Sequence, residues 1–346
     1  MAQPHDLKSN GRKLEELNTW TKQRNEAALE PGLPIIDSHH HLWDDKRGRY
    51  LIHELVEDID TGHNIIATIF AEAGSNMYRA EGPTAMKPVG EVEFVNGVAA
   101  MGASGKYGKT QLCAGIVGHA DLMLGDAVQP VLEALIAAGN GRFRGIRHTV
   151  TWDTGSAARH PLPRHLMLDP TFRKGFARLQ PLNLSFDAWM FYAQLPDLVD
   201  LLRAFPNTSV VLNHFGGILG VPPHDGKRAE VFAIWRSHIR ELAQFPNLNV
   251  KTGGLGMLRC GWDFHVRDVP PSSEELAAAW RPYIDTCIEA FGTNRCMMES
   301  NFPPDKQSCG YGVLWNTMKR ITQNYSAAEK AALYRDTAAR VYRVAV

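Results

Sequence analysis

No CxxC pair occurs in the chain, and its five cysteines (Cys113, Cys260, Cys287, Cys296 and Cys309) are scattered and odd in number. That excludes a disulfide framework and a zinc knuckle and points to reduced thiols, as in cytoplasmic proteins. No apolar run approaches the roughly 20 residues of a membrane span. The polar N-terminus, MAQPHDLKSNGRKLEELNTW, has no signal-peptide character. Neither sign of charge is in excess: Lys plus Arg and Asp plus Glu number 37 each. Neither nucleic acid nor an anionic membrane is therefore an expected partner. No glycine-rich dinucleotide loop follows any apolar run, and no internal repeat or low-complexity linker breaks the chain.

What is present is a globular composition: 44% hydrophobic and 21% charged residues over 346 positions. Beyond a polar stretch of about 33 residues, β-branched runs alternate with helical patterns. The expected strands are PIIDSHHH, NIIATIFAEA, QLCAGIVGHADL, RFRGIRHTV, LNLSFDAWMF, SVVLNHFGG, LNVKTGG and RCMMESNF. Six helical stretches lie between them, and a last one starts from a cap at Ser326. Eight strands alternating with helices predict an α/β fold, a (β/α)8 TIM barrel over residues 34–346 with an N-terminal extension over residues 1–33. An open doubly wound sheet is the alternative. Within the extension, LEELNTWTKQRNEAALE is amphipathic and expected to pack on the barrel or on a neighbouring subunit. Nothing decides between a monomer and a homo-oligomer.

Polar residues crowd the C-terminal ends of the strands, where barrels place their chemistry. The stretch IIDSHHHLWD carries three consecutive histidines. Alternation along a strand puts Ile35, Asp37, His39 and His41 on one face, and Ile36, Ser38 and His40 on the other. His39 and His41 are then about 7 Å apart along the strand, suited to one metal ion or to polarising one carbonyl. Asp37 would orient a histidine from below, and His40 would face outward. In RFRGIRHTV the same parity turns Ile146 out and Arg147 in, where it needs an anion: a substrate carboxylate, or else Glu72 at the end of the second strand. Glu72 itself would be a ligand, a base or a partner of that arginine. His119, Tyr192, Lys251 and Trp43 complete the substrate-binding candidates. Lys251 would hold an anion or an internal carboxylate, and Trp43 belongs to an aromatic wall.

The motifs IIDSHHHLWD, GIRH, VVLNHFGG and CMMESNFPPDK, in this order over about residues 33–345, resemble the amidohydrolase superfamily. The branch containing 2-pyrone-4,6-dicarboxylate lactonase and sugar-acid lactonases is the most similar. The resemblance implies a (β/α)8 barrel, matches His39 and His41 to the first-strand histidines, and matches His214 to the histidine ending strand six. Three departures follow. The fourth strand has no lysine to bridge two metals, and no histidine lies between His165 and His214. A site of at most one metal, held by His39 and His41 with an unusual partner, is implied. The cofactor is then one weakly bound divalent ion, Zn or Mn, or none. Aligned on the proline, Asn301 stands where the branch carries a catalytic aspartate, and an amide is no general base. Glu299, expected on the same face as Asn301, brings a carboxylate back one pleat deeper.

The expected activity is hydrolysis of a cyclic ester, a lactone carrying a carboxylate. His39 and His41 polarise the carbonyl, His214 assists, and Glu299, Glu72 or His214 activates water in place of Asn301. A decarboxylase or hydratase on the same barrel is the second reading. A barrel that only binds a small acid is the third.

Overall fold

The computed structural model describes residues 11–74, 77–155, 157 and 162–346. Eight parallel strands lie in chain order: β1 (Ile35–His40), β2 (Ile65–Ala71), β3 (Gln111–Gly118), β4 (Phe143–Ile146), β5 (Ser185–Ala188), β6 (Val210–Leu212), β7 (Leu248–Lys251) and β8 (Cys296–Met297). Just past β8 the ring closes on β1: the Asn301 N–H donates to the His39 carbonyl and the His41 N–H to the Phe302 carbonyl, each at 2.8 Å. The strands are followed in turn by helices Ile52–Ile59, Val89–Ala103, Gln129–Ala138, Pro170–Phe176, Leu195–Ala204, Arg228–Leu242, Ser273–Phe291 and Tyr311–Ile321. This is the (β/α)8 barrel that the strand count predicted.

Two of those helices, Ile52–Ile59 and Tyr311–Ile321, lie outside the six expected helical stretches, although each carries an apolar stripe of its own. The caps behave as the sequence suggests. Ser326 Oγ accepts from the Glu329 N–H at 3.3 Å, and Glu329 reaches back to the Ser326 N–H at 2.8 Å.

Side chains divide into two apolar layers. Ile35, Phe70, Ile116, Ile146, Phe186, Leu212 and Val250 pack outward under the helices. Ile36, Ala67, Ile69, Val117, Val211 and Met297 fill the inside of the barrel, and Ala338, Val341, Tyr342 and Val344 pack with them as a floor. Above that apolar plug the interior turns polar. Helix Leu14–Thr21 lies on the barrel itself: Arg12 Nε donates to the His265 carbonyl and Trp20 Nε1 to the Arg267 carbonyl, both at 2.9 Å.

Strand β1 departs from simple alternation. Asp37 stands opposite Thr68 and His40 opposite Phe70, so three steps of β1 match two of β2. The extra residue is a bulge. Below it Ile36 points in and Asp37 out; above it His39 points in and His40 out. Asp37 is therefore not beneath the histidines. It accepts from the Ser300 N–H at 2.8 Å, Ser300 Oγ at 2.6 Å and the Tyr311 hydroxyl at 3.0 Å.

Candidate active site

His39 and His41 meet at the top of β1, with their Nε2 atoms 3.2 Å apart. His41 Nδ1 lies 2.9 Å from the Ala71 carbonyl oxygen and must donate to it. That fixes the neutral tautomer and leaves His41 Nε2 as a bare lone pair. His39 sits between two cations. Lys251 Nζ is 3.2 Å from its Nδ1, and Arg147 Nη1 is 3.2 Å from its Nε2. Burial, then the charge of Lys251, drives the His39 pKa well below the ordinary imidazole range. Burial followed by Arg147 does the same to His41. Both rings are neutral at pH 7. His40 is turned away: its ring meets Phe70 edge-on at 6.1 Å, and its Nε2 is 3.9 Å from Cys113 Sγ.

Each cation has its own anion. Arg147 Nε donates to Glu72 Oε1 at 2.7 Å and Nη2 to the Glu72 carbonyl at 2.6 Å. Of the two partners expected for Arg147, the structure supplies Glu72. Burial, the largest single influence, opposes ionisation of Glu72, but Arg147, His119 and the Gly74 N–H together hold the carboxyl below its usual range. Lys251, fully buried, donates to Asp187 Oδ2 at 2.7 Å. Asn213 Nδ2 and the Tyr342 hydroxyl donate to the same oxygen at 3.1 and 2.8 Å. The internal carboxylate foreseen for Lys251 is thus Asp187. The sequence reading missed Asp187, although its place in LSFDA, an acid inside an otherwise apolar strand, was the available signal.

His214 and Glu299 form the second half of the site. His214 Nδ1 is 2.7 Å from Glu299 Oε1, and His39 Nδ1 is 3.2 Å from Glu299 Oε2. Two glycines after β7 make room for them. A Cβ on Gly253 would lie 2.4 Å from Glu299 Cγ, and one on Gly254 2.6 Å from His214 Cγ. His214 opens a run of four residues with positive φ: His214 at 52°, Phe215 at 58°, Gly216 at 76° and Gly217 at 65°. That conformation costs a histidine and a phenylalanine about 1–2 kcal/mol each. Trp235 Nε1, donating to the Phe215 carbonyl at 2.6 Å, helps to hold it. Burial raises the Glu299 carboxyl to about 8, against the pull of Lys251. His214 is pushed well down, by burial first and then by Arg147.

Glu299 and Asn301 both lie beyond the end of β8, and Asn301 has φ at 51°, so strand parity no longer decides their faces. Asn301 Nδ2 donates to Asp305 Oδ1 at 2.7 Å. The remaining candidates line the approach. Trp43 stacks on His41 with ring centroids 6.0 Å apart, and its buried Nε1 finds no acceptor among the described residues. His119 Nδ1 donates to the Arg147 carbonyl at 3.1 Å. Tyr192 is committed elsewhere: its hydroxyl meets His224 Nδ1 at 3.1 Å, and His224 Nε2 meets Asp153 at 2.8 Å. Arg259, also missed in the sequence, lies 5.5 Å over the Trp189 ring, which packs edge-on against His214.

The donor set was tested for a metal. One ligand atom each from His39, His214 and Glu299 lie within 4.8 Å of one another, all buried. Glu299 Oε2 is buried, and its one close polar neighbour among the described residues is His39 Nδ1 at 3.2 Å. Two imidazoles and a carboxylate suit a single divalent ion of the Zn or Mn type. This group shares His39 with the His39–His41 pair foreseen from the sequence and adds His214 and Glu299.

Comparison with known proteins agrees with this architecture. The Amidohydrolase family model matches residues 36–344, and the chain belongs to that family. It is 32% identical over 334 residues to the uncharacterized protein y4mH of Sinorhizobium fredii, covering 90% of this chain and 99% of that one. It is 26% identical over 319 residues to an L-fucono-1,5-lactonase of Burkholderia multivorans, covering 89% and 95%. Among solved structures, an amidohydrolase of Burkholderia multivorans with bound zinc superposes with a TM-score of 0.68 at 25% identity, covering 90% of this chain and 99% of that one. No helix among the described residues is long and apolar enough to cross a membrane.

Proposed function

We propose that this protein hydrolyses a lactone, with His214 as the general base. The observation that carries the proposal is the 2.7 Å contact between His214 Nδ1 and Glu299 Oε1 beside the His39–His41 pair. With Glu299 ionised, its carboxylate accepts the Nδ1 proton and leaves His214 Nε2 bare. That nitrogen takes a proton from water as the water oxygen attacks the lactone carbonyl carbon. Donors around His39 face the oxyanion that forms. The ring C–O bond then breaks, and the proton on His214 Nε2 passes to the departing oxygen. The product is an open-chain hydroxy acid. His39, His214 and Glu299 are also the residues that would hold a divalent ion; it would supply Lewis-acid polarisation of the carbonyl, and with it bound His214 would serve as a ligand and not as the base.

The lactonase names among the relatives support this reaction class. Arg147 gives Nε and Nη2 to Glu72, so only Nη1 is left to meet a substrate oxygen. The unpartnered indole N–H of Trp43 favours a substrate rich in oxygen acceptors, such as a sugar-acid lactone. A panel of five- and six-membered aldonolactones, followed by acid release in a pH-indicator assay, tests the reading. Turnover lost in His214→Asn is the expected result. Folded protein that opens no lactone, or full activity in that variant, removes it.

A further inference from the structure

His41 Nε2 is a bare lone pair, because its Nδ1 proton is spent on the Ala71 carbonyl. It faces His39 Nε2 across 3.2 Å. Two ligands of a tetrahedral zinc ion at ~2.0–2.1 Å would stand about 3.3 Å apart. The pair thus has the span of a metal edge, yet a cation of the chain's own is aimed at it. Arg147 Nη1 is 3.2 Å from His39 Nε2. Its guanidinium cannot swing aside freely, since Nε and Nη2 are both bonded to Glu72 in a buried setting. An ion bound to His39 Nε2 would lie no more than about 5 Å from Nη1, by the sum of the two distances. In a buried site such like charges repel strongly.

We propose that Arg147 is the resident cation of the His39–His41 pair: it bars a metal ion from that pair and presents its own charge to the substrate carbonyl oxygen there. A guanidinium N–H is a charge-assisted donor, and here it is fixed in advance by Glu72. Any ion the site takes is then left to His39, His214 and Glu299. This deepens the lactonase reading by naming the electrophile. Its test uses no substrate, so its failure and the failure of that reading are separable.

The test is titration with Co²⁺, read by the visible bands of the bound ion and by metal content in mass spectrometry. Arg147→Met leaves Glu72 buried without its cation, so the double variant Arg147→Met/Glu72→Gln is the one expected to fold with charges balanced. It should bind Co²⁺ at least tenfold more tightly than the wild type, and His41→Asn added to it should remove the gain. Wild-type binding that survives His41→Asn supports the exclusion as well. A control separates occupancy from mere charge. Lys251 lies equally near His39, at 3.2 Å, but on the Nδ1 side. Lys251→Met/Asp187→Asn should relieve repulsion at His39 Nδ1, so any gain it gives belongs to the His39, His214 and Glu299 group and should survive His41→Asn. No gain in the Arg147 double variant, a gain there that survives His41→Asn, or wild-type binding abolished by His41→Asn would overturn the proposal.

Discussion

Glu299 touches two histidines with its two oxygens, His214 at 2.7 Å and His39 at 3.2 Å, from a position with no solvent exposure. One carboxylate thus ties β6 to β1 beneath the reacting groups. Its pKa, raised to about 8 by burial, sets the pH at which it can accept the His214 proton. Below that value Glu299 is protonated and His214 Nε2 is not free; above it the dyad is a base. The rate should therefore rise with pH through about 8 and level off. In Glu299→Gln the rise should vanish, with kcat lower by on the order of a hundredfold. A pH–rate profile of both proteins checks this, and a wild-type rate flat from pH 6 to 9 would contradict it.

The three histidines of β1 separate by face. His39→Ala and His41→Ala should each lower kcat/KM by on the order of a hundredfold with little loss of stability. His40→Ala should do the reverse. It empties a buried site between Phe70 and Cys113 and should cost about 1–3 kcal/mol, while the remaining folded enzyme stays active. Urea denaturation beside steady-state kinetics distinguishes the two patterns.

Asn301→Asp should not restore a metal-binding carboxylate. The Asn301 amide serves Asp305, whose buried carboxyl also accepts from the Gly256 N–H at 2.9 Å and is pushed well up by burial. Replacing the donor with a second acid leaves that acceptor facing a repelling partner. A loss of about 1–3 kcal/mol with unchanged metal content is expected. Increased zinc occupancy in the variant would show that position 301 reaches the histidines after all.

Far from the site, His63 provides an acid-sensitive contact. Its Nε2 donates to the Gly312 carbonyl at 3.0 Å, and its Nδ1 accepts from Lys319 Nζ at 2.9 Å. Burial, then the Lys319 charge, lowers its pKa to about 4. Below the unfolded value near 6.5 the unfolded chain takes up a proton that the fold refuses until about pH 4. Stability is lost as pH falls through that window, by about 2 kcal/mol at pH 5 from this residue alone. His63→Gln should be less sensitive to the change from pH 7.5 to pH 5 by that amount, measured as unfolding free energies in urea.

The barrel was legible because strand and helix periods differ and alternate along the whole chain. His39, His41 and Arg147 were legible because parity holds across short strands. Parity failed wherever the backbone leaves the pleat. The bulge after Asp37 turned that acid outward, and past β8 Asn301 takes a left-handed conformation and gives its amide to Asp305. Neither feature has a glycine or proline to announce it. The pairing of Lys251 with Asp187 was half visible: a buried lysine demands an anion, but which of the chain's acids supplies it depends on β5 and β7 flanking β6 with these side chains turned to the same interior.

The floor of the barrel bears on how the molecule is made. Tyr342 closes the interior from below and hydrogen-bonds Asp187, which holds Lys251, which in turn contacts His39. A residue near position 40 therefore waits for one near position 340 before its surroundings are complete. During synthesis the first strand emerges roughly 300 residues earlier, about 15–60 s at ~5–20 residues per second. For that interval the histidines of β1 are present without the Tyr342 hydroxyl that completes the Asp187–Lys251 pair beside them. The reactive layer is among the last parts of the protein to mature, although its first residues are among the earliest translated.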